Sequence, residues 1–138
     1  MATVNDFNRT VIEEFRANDG KVSGQFAGAP LLLLSTTGAK SGQTRTNPVA
    51  YRREGERVFV FASKAGSPQN PDWYHNLVAH PEVTVELAGE TYRARAVVID
   101  GAERERVWEA QKTAMPGFAD YERKTERRIP VVELQRAS

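Results

Sequence analysis

The residues of this chain best suited to chemistry lie in Ser35-Thr36-Thr37-Gly38-Ala39-Lys40-Ser41-Gly42-Gln43-Thr44-Arg45-Thr46-Asn47-Pro48, directly after four leucines at 31–34. Glycine lets a backbone turn its amide N–H groups toward a ligand, and hydroxyls add donors. Lys40 and Arg45 add positive charge. Together these groups suit an anion such as a phosphate or a carboxylate chain. The spacing is not that of a nucleoside-triphosphate loop, which needs Gly-Lys-Ser/Thr with another glycine five positions earlier. Here Ala39 precedes Lys40, and Leu33 stands five before Gly38. No Gly-x-Gly-x-x-Gly dinucleotide fingerprint occurs either. Taken alone, the loop reads equally as a polar turn between strands.

A second polar segment, Ser63-Lys64-Ala65-Gly66-Ser67, follows the apolar run ending at Ala62. If both runs are strands of one sheet, the two loops open at a common rim. Lys40, Arg45 and Lys64 would then converge on one anion, and the helix beginning near Asn70 would add its dipole and N–H groups. Three dispersed surface cations are the other reading. Trp73 and Tyr74 either wall a flat ring or pack in the core. His75 and His80 do not share one helical face cleanly and no carboxylate completes a ligand set, so a metal centre is rejected. Ser63 would need a positioned base to act as a nucleophile, and no serine-hydrolase elbow is present.

The elements that must position these residues follow from periodicity. Val4, Phe7, Val11 and Phe15 recur at three- and four-residue steps, which predicts an amphipathic helix over residues 1–20 ended by Asn18-Asp19-Gly20. Residues 31–35 read as a strand buried on both faces. Residues 46–52 and 57–62 form a hairpin around Arg53-Glu54-Gly55-Glu56, with Val58 and Val60 on one face and Phe59 and Phe61 on the other. A second hairpin joins 83–87 to 91–99, with Val83, Val85 and Leu87 inward. Between the hairpins, Asn70 caps a helix whose first position suits Pro71. Asp100 starts another helix, Met115-Pro116-Gly117 breaks it, and Phe118, Tyr121 and Thr125 line a short successor. Residues 129–134 close the sheet, with Pro130 at its edge or start. The pattern predicts an α+β domain built on an antiparallel sheet or small barrel.

Composition narrows the function. At 138 residues the chain fits one core, and its hydrophobic content of 40% is that of a folded protein. The formal net charge of +1 and the lack of a basic stripe with interleaved aromatics argue against nucleic acid. The absence of cysteine excludes disulfides and thiolate chemistry. With no signal peptide and no long apolar run, the expected location is the cytoplasm.

Taken in order, these segments resemble the deazaflavin-dependent nitroreductase family. The matching pieces are Gly28-Ala29-Pro30 into 31–34, residues 36–43, Arg45-Thr46-Asn47-Pro48, Ala62-Ser63-Lys64-Ala65-Gly66, Asn70-Pro71-Asp72-Trp73-Tyr74-His75-Asn76-Leu77 and Arg128-Ile129-Pro130-Val131. The resemblance implies a split β-barrel of the FMN-binding-protein type with flanking helices, occupying residues 21–138. It implies coenzyme F420, a deazaflavin with a ribityl phosphate and polyglutamate tail, as cofactor. Lys40 and Arg45 would hold the phosphate and tail end. Ser63, Lys64 and Ala65 would line the deazaflavin, with Pro48 and the segment from Trp73 to Asn76 beside it, and Ser41, Asn47, Ala62 and Gly66 would also bind the coenzyme. Met115, Phe118 and Tyr121 would form the substrate wall, where family members carry several tyrosines and this chain keeps only Tyr121. The implied activity is hydride transfer to a flat electron-poor acceptor such as a quinone, enone or nitroaromatic, with Ser63 or Tyr121 orienting or protonating it. The rivals are an F420-binding or storage protein with little turnover and an FMN-binding split barrel. The expected partner is a small-molecule acceptor; the chain is expected as a monomer or a homodimer, with peripheral membrane contact through the first helix a minor alternative.

Overall fold

The computed structural model describes residues 4–17, 31–62, 70–87, 90–125 and 128–137, with side chains from residue 9 onward. Six strands, β1 (Leu31–Thr37), β2 (Thr44–Glu54), β3 (Arg57–Phe61), β4 (Glu82–Leu87), β5 (Glu90–Ile99) and β6 (Val131–Arg136), form a closed barrel in the order β1-β2-β3-β6-β5-β4. Every pair in it is antiparallel. Among the described residues four helices flank the barrel: α1 (Val4–Ala17), α2 (Asp72–Ala79), α3 (Gly101–Ala114) and α4 (Gly117–Lys124). The α+β split-barrel expectation holds.

Strand alternation sorts the side chains. Leu32, Leu34, Val58, Val60, Val85 and Val132 are among those filling the barrel interior. The opposite face of β1 offers Leu31 and Leu33, which α1 covers with Val11 and Phe15. The opposite face of β3 offers Phe59 and Phe61, covered by Val107 and Trp108 of α3 and Phe118 of α4. Both strands are therefore buried on two faces, as their unbroken apolar runs predict. Each large side chain so buried contributes about 1.5–3 kcal/mol. The expected α1 residues Val4 and Phe7 lie outside the described side chains.

One positional expectation needs correction. Asn70 is not the N-cap of α2: Pro71 holds that position with extended backbone (φ −67°, ψ 155°) and no side-chain cap bond of its own. The pyrrolidine ring disfavours helical backbone at the preceding residue, and Pro71 itself stays extended, so the helix starts at Asp72. Of the two places expected for Pro130, the start of the strand is the one observed, since β6 lies between β3 and β5 in a closed barrel and has no free edge. Pro130 immediately precedes the strand, where its missing N–H costs nothing, and its carbonyl accepts the Ala62 amide at 3.0 Å.

The topology determines where the site can be. β1 and β3 both run antiparallel to β2, so they point the same way and leave the barrel at one rim. β2 enters at that rim, and Trp73 and Leu77 of α2 insert into the barrel core.

Candidate functional site

The turn that leaves β1 is built from its own backbone. The Gly38 amide donates to the Gln43 carbonyl at 2.8 Å and the Gly42 amide to the Gly38 carbonyl at 3.0 Å. The Gln43 amide donates to Ser41 Oγ at 3.2 Å. Two glycines make this closure sterically feasible. Gly42 has φ +72°, a region that side chains disfavour. A Cβ at Gly38 would stand 2.4 Å from Ser41 Oγ and 3.2 Å from the Gln43 carbonyl oxygen. The Ala39 amide donates to Asn76 Oδ1 at 3.0 Å. That leaves the amides of Lys40 and Ser41 without a protein acceptor among the described residues.

Beside this turn lies an open cleft of about 1080 Å³, lined by residues 38–41 and 44–47, by Asp72, His75 and Asn76 of α2, and by Arg9, Ile12 and Arg16 of α1. Four cations face one acidic side chain there, Asp72, although the whole molecule carries a formal charge of only +1. Among the described residues Lys40 forms no ion pair and the Arg45 guanidinium reaches only Gln43 Oε1, at 3.4 Å. Arg16 is matched by Glu86 of β4 through Nε at 3.0 Å and Nη2 at 2.7 Å. The hydrogen bond to Glu86 raises the Arg16 pKa above its ordinary value despite partial burial.

Of the residues expected to hold a coenzyme, Lys40, Ser41, Arg45, Asn47 and Asn76 meet around this cleft. Pro48 stands opposite Leu33 in the β1–β2 ladder and is not among the lining residues. Trp73 and Ala62 are buried in the barrel core. Ser63, Lys64, Ala65 and Gly66 lie outside the described residues. Met115, Phe118 and Tyr121 come together elsewhere, in the cluster on the outer face of β3, where the Phe118 ring packs edge-on to Phe61 and Tyr121. None of the three lines the cleft.

Arg9, Arg16, Asp72 and His75 were not singled out as site residues from the sequence. A signal was present for the first two, since residues 9, 12 and 16 keep the same three- and four-residue step as Val11 and Phe15. It identifies a face of α1, but not what that face borders. Among the described residues no group of His, Asp and Glu is arranged to hold a metal.

An anionic phosphate and carboxylate tail would suit the cleft's size, its cations and the two amides that have no acceptor among the described residues. The sequence matches the F420H(2)-dependent quinone reductase family over residues 7–136. It is 36% identical over 126 residues to an F420H(2)-dependent quinone reductase of Mycobacterium tuberculosis, covering 88% of this chain and 85% of that protein. A solved F420-H2 dependent reductase, FDR-A, superimposes with a TM-score of 0.70 at 38% identity, covering 77% of this chain and 94% of that one. A second solved chain, described as a domain-swapped dimer, gives a TM-score of 0.73 at 33% identity over 96% of this chain and 100% of that one. The chain belongs to the F420H(2)-dependent quinone reductase family, oxidoreductases whose cofactor is coenzyme F420.

Proposed function

We propose that this protein binds reduced F420 with its phosphate and tail in the cleft beside the 38–43 turn, and uses it to reduce quinones. The observation that carries the reading is the convergence on one cationic cleft of Lys40, Arg45 and two loop amides with no acceptor among the described residues. Charge-assisted bonds from such donors are stronger than neutral ones. They would anchor the coenzyme by its non-reacting end, so that binding energy there orients the reacting ring. Ser63, Lys64, Ala65 and Gly66 would line that ring, as the family resemblance implies. When bound, the reduced coenzyme supplies a hydride from C5 of its deazaflavin ring.

The chain's own tasks are then to hold, orient and exclude water, which needs no side-chain nucleophile. Met115, Phe118 and Tyr121 would form the acceptor's wall, with the Tyr121 or Ser63 hydroxyl hydrogen-bonding the acceptor oxygen and helping to protonate it. A quinone would suit such a wall, because the partly exposed Met115 side chain would pack on its ring and one hydroxyl would meet a carbonyl, with the buried Phe118 ring backing the Tyr121 ring. Nitroaromatic reduction of the type implied by the nitroreductase resemblance is the weaker activity in this reading. Met115 and Phe118 stand where phenols are typical of nitroreductases.

Titration with F420, FMN and NADPH, followed by oxidation of reduced F420 by a quinone and a nitroaromatic, tests the reading. F420 binding with faster quinone turnover is expected. Tight FMN binding without F420 affinity would sink it, and F420 binding without turnover on any acceptor would favour a carrier role. Phe118→Tyr is expected to change turnover, nitroaromatic turnover most, while leaving coenzyme affinity alone.

A further inference from the structure

Thr36 shares the inward face of β1 with Leu32 and Leu34, at the end of the barrel beside the cleft, and is 1% exposed. A buried hydroxyl needs a partner, and Thr36 Oγ1 accepts from Asn76 Nδ2 at 3.1 Å. The other end of the same carboxamide accepts the Ala39 amide at 3.0 Å. Asn76 is itself buried, on a helix held by the insertion of Trp73 and Leu77 into the core. One side chain therefore ties the barrel end, α2 and the anion-facing turn together across 37 and 40 residues of sequence.

We propose that Asn76 is a positioning residue for the coenzyme's anionic end. It holds the 38–43 turn so that the amides of Lys40 and Ser41, which have no acceptor among the described residues, face the anion together with the Lys40 ammonium, and it does so through Ala39 and Thr36. This rests on the reading of the cleft given above. A carboxamide suits the task because it presents an acceptor at one end and a donor at the other. Aspartate at this position would keep the bond to Ala39 but lose the donation to Thr36, and would set a negative charge beside a turn that receives an anion. Alanine would lose both bonds. Thr36→Val would remove one partner and strand the amide, whereas Thr36→Ser would keep the hydroxyl.

The test titrates the wild type, Asn76→Ala, Asn76→Asp, Thr36→Val and Thr36→Ser with F420 and with the tail-less deazaflavin whose ribityl chain ends in a hydroxyl, at several salt concentrations. Loss of one or two hydrogen bonds predicts about tenfold weaker F420 binding for Asn76→Ala, with Asn76→Asp weaker still, Thr36→Val intermediate and Thr36→Ser near wild type. Affinity for the tail-less ligand should stay within about twofold throughout, and the salt dependence of F420 binding should flatten in Asn76→Ala as the anion loses its fixed donors. Equal losses for both ligands would overturn the proposal, since the residue would then serve the ring or the fold. So would unchanged F420 affinity in a folded Asn76→Ala. If Asn76→Ala fails to fold, the Thr36→Val and Thr36→Ser pair makes the same comparison. Failure of the wild type to bind F420 would overturn the cleft assignment itself, a result distinct from either.

Discussion

Lys40 and Arg45 reach the cleft by different routes, one from the tip of a tight turn and the other from the first residues of a strand. Lys40→Ala and Arg45→Ala should each weaken F420 binding by about 1–3 kcal/mol, the range for losing a charge-assisted hydrogen bond. Unchanged affinity in both variants would remove these residues from the site. Gly38→Ala should act on the same property indirectly. Its Cβ would displace Ser41 Oγ and with it the bond to the Gln43 amide, so affinity should fall while the barrel's melting temperature barely moves. The cations of the turn were legible because residue types and glycine spacing are local signals. The role of Asn76 was not, because its partners are 37 and 40 residues away and only the packing of α2 against β1 brings them into reach.

Elements show the same division between what periodicity records and what packing decides. Alternating and unbroken apolar runs predicted every strand of the barrel, since burial on one face or two leaves a direct trace in the residue pattern. Which helix covers which face leaves no such trace. The clamp between α3 and α4 is one result: Glu122 accepts hydrogen bonds from Lys112 Nζ at 2.9 Å and from Trp108 Nε1. Partial burial acts to raise the Glu122 pKa, but the bonds from Lys112 and Trp108 together hold it below the usual carboxylate range. Because α4 carries Phe118 and Tyr121, releasing the clamp should disturb the proposed acceptor wall before the proposed coenzyme cleft. Glu122→Gln is expected to lower stability by about 1 kcal/mol, since the carboxylate is partly exposed and solvent weakens its bonds. It should also raise the KM for a quinone more than the Kd for F420. A larger change in Kd than in KM would place α4 on the wrong side of the reaction.

At the scale of the whole molecule, a chain of ion pairs links the barrel to α3. Glu133 of β6 bonds Arg57 of β3, which also meets Glu103 of α3 at 2.7 Å. Glu103 bonds Arg106, which reaches Glu54 of β2 at 2.9 Å, and Glu54 bonds Arg52. Hydrogen bonds from Arg106 and then Arg52 lower the Glu54 pKa, and those from Arg106 and then Arg57 lower that of Glu103. A carboxylate whose folded-state pKa lies below its unfolded value stabilises the fold above that unfolded value. Its contribution disappears as the pH falls through the folded-state pKa. The thermal midpoint should therefore change little from about pH 6 to 8 and drop steeply below about pH 4.3, where unfolded glutamates take up protons. Arg106→Ala removes the donor shared by Glu54 and Glu103, so both carboxylates should titrate nearer their ordinary value. The variant should be less stable than wild type at neutral pH, converge with it under acid and show a shallower acid limb. High salt should narrow the neutral-pH gap, because Arg106 is half exposed and its pairs with Glu54 and Glu103 are open to screening. Parallel acid limbs for the two proteins would mean that the network, though continuous in space, adds no pH-dependent stability and that the apolar packing of α3 on β3 alone holds that side of the barrel.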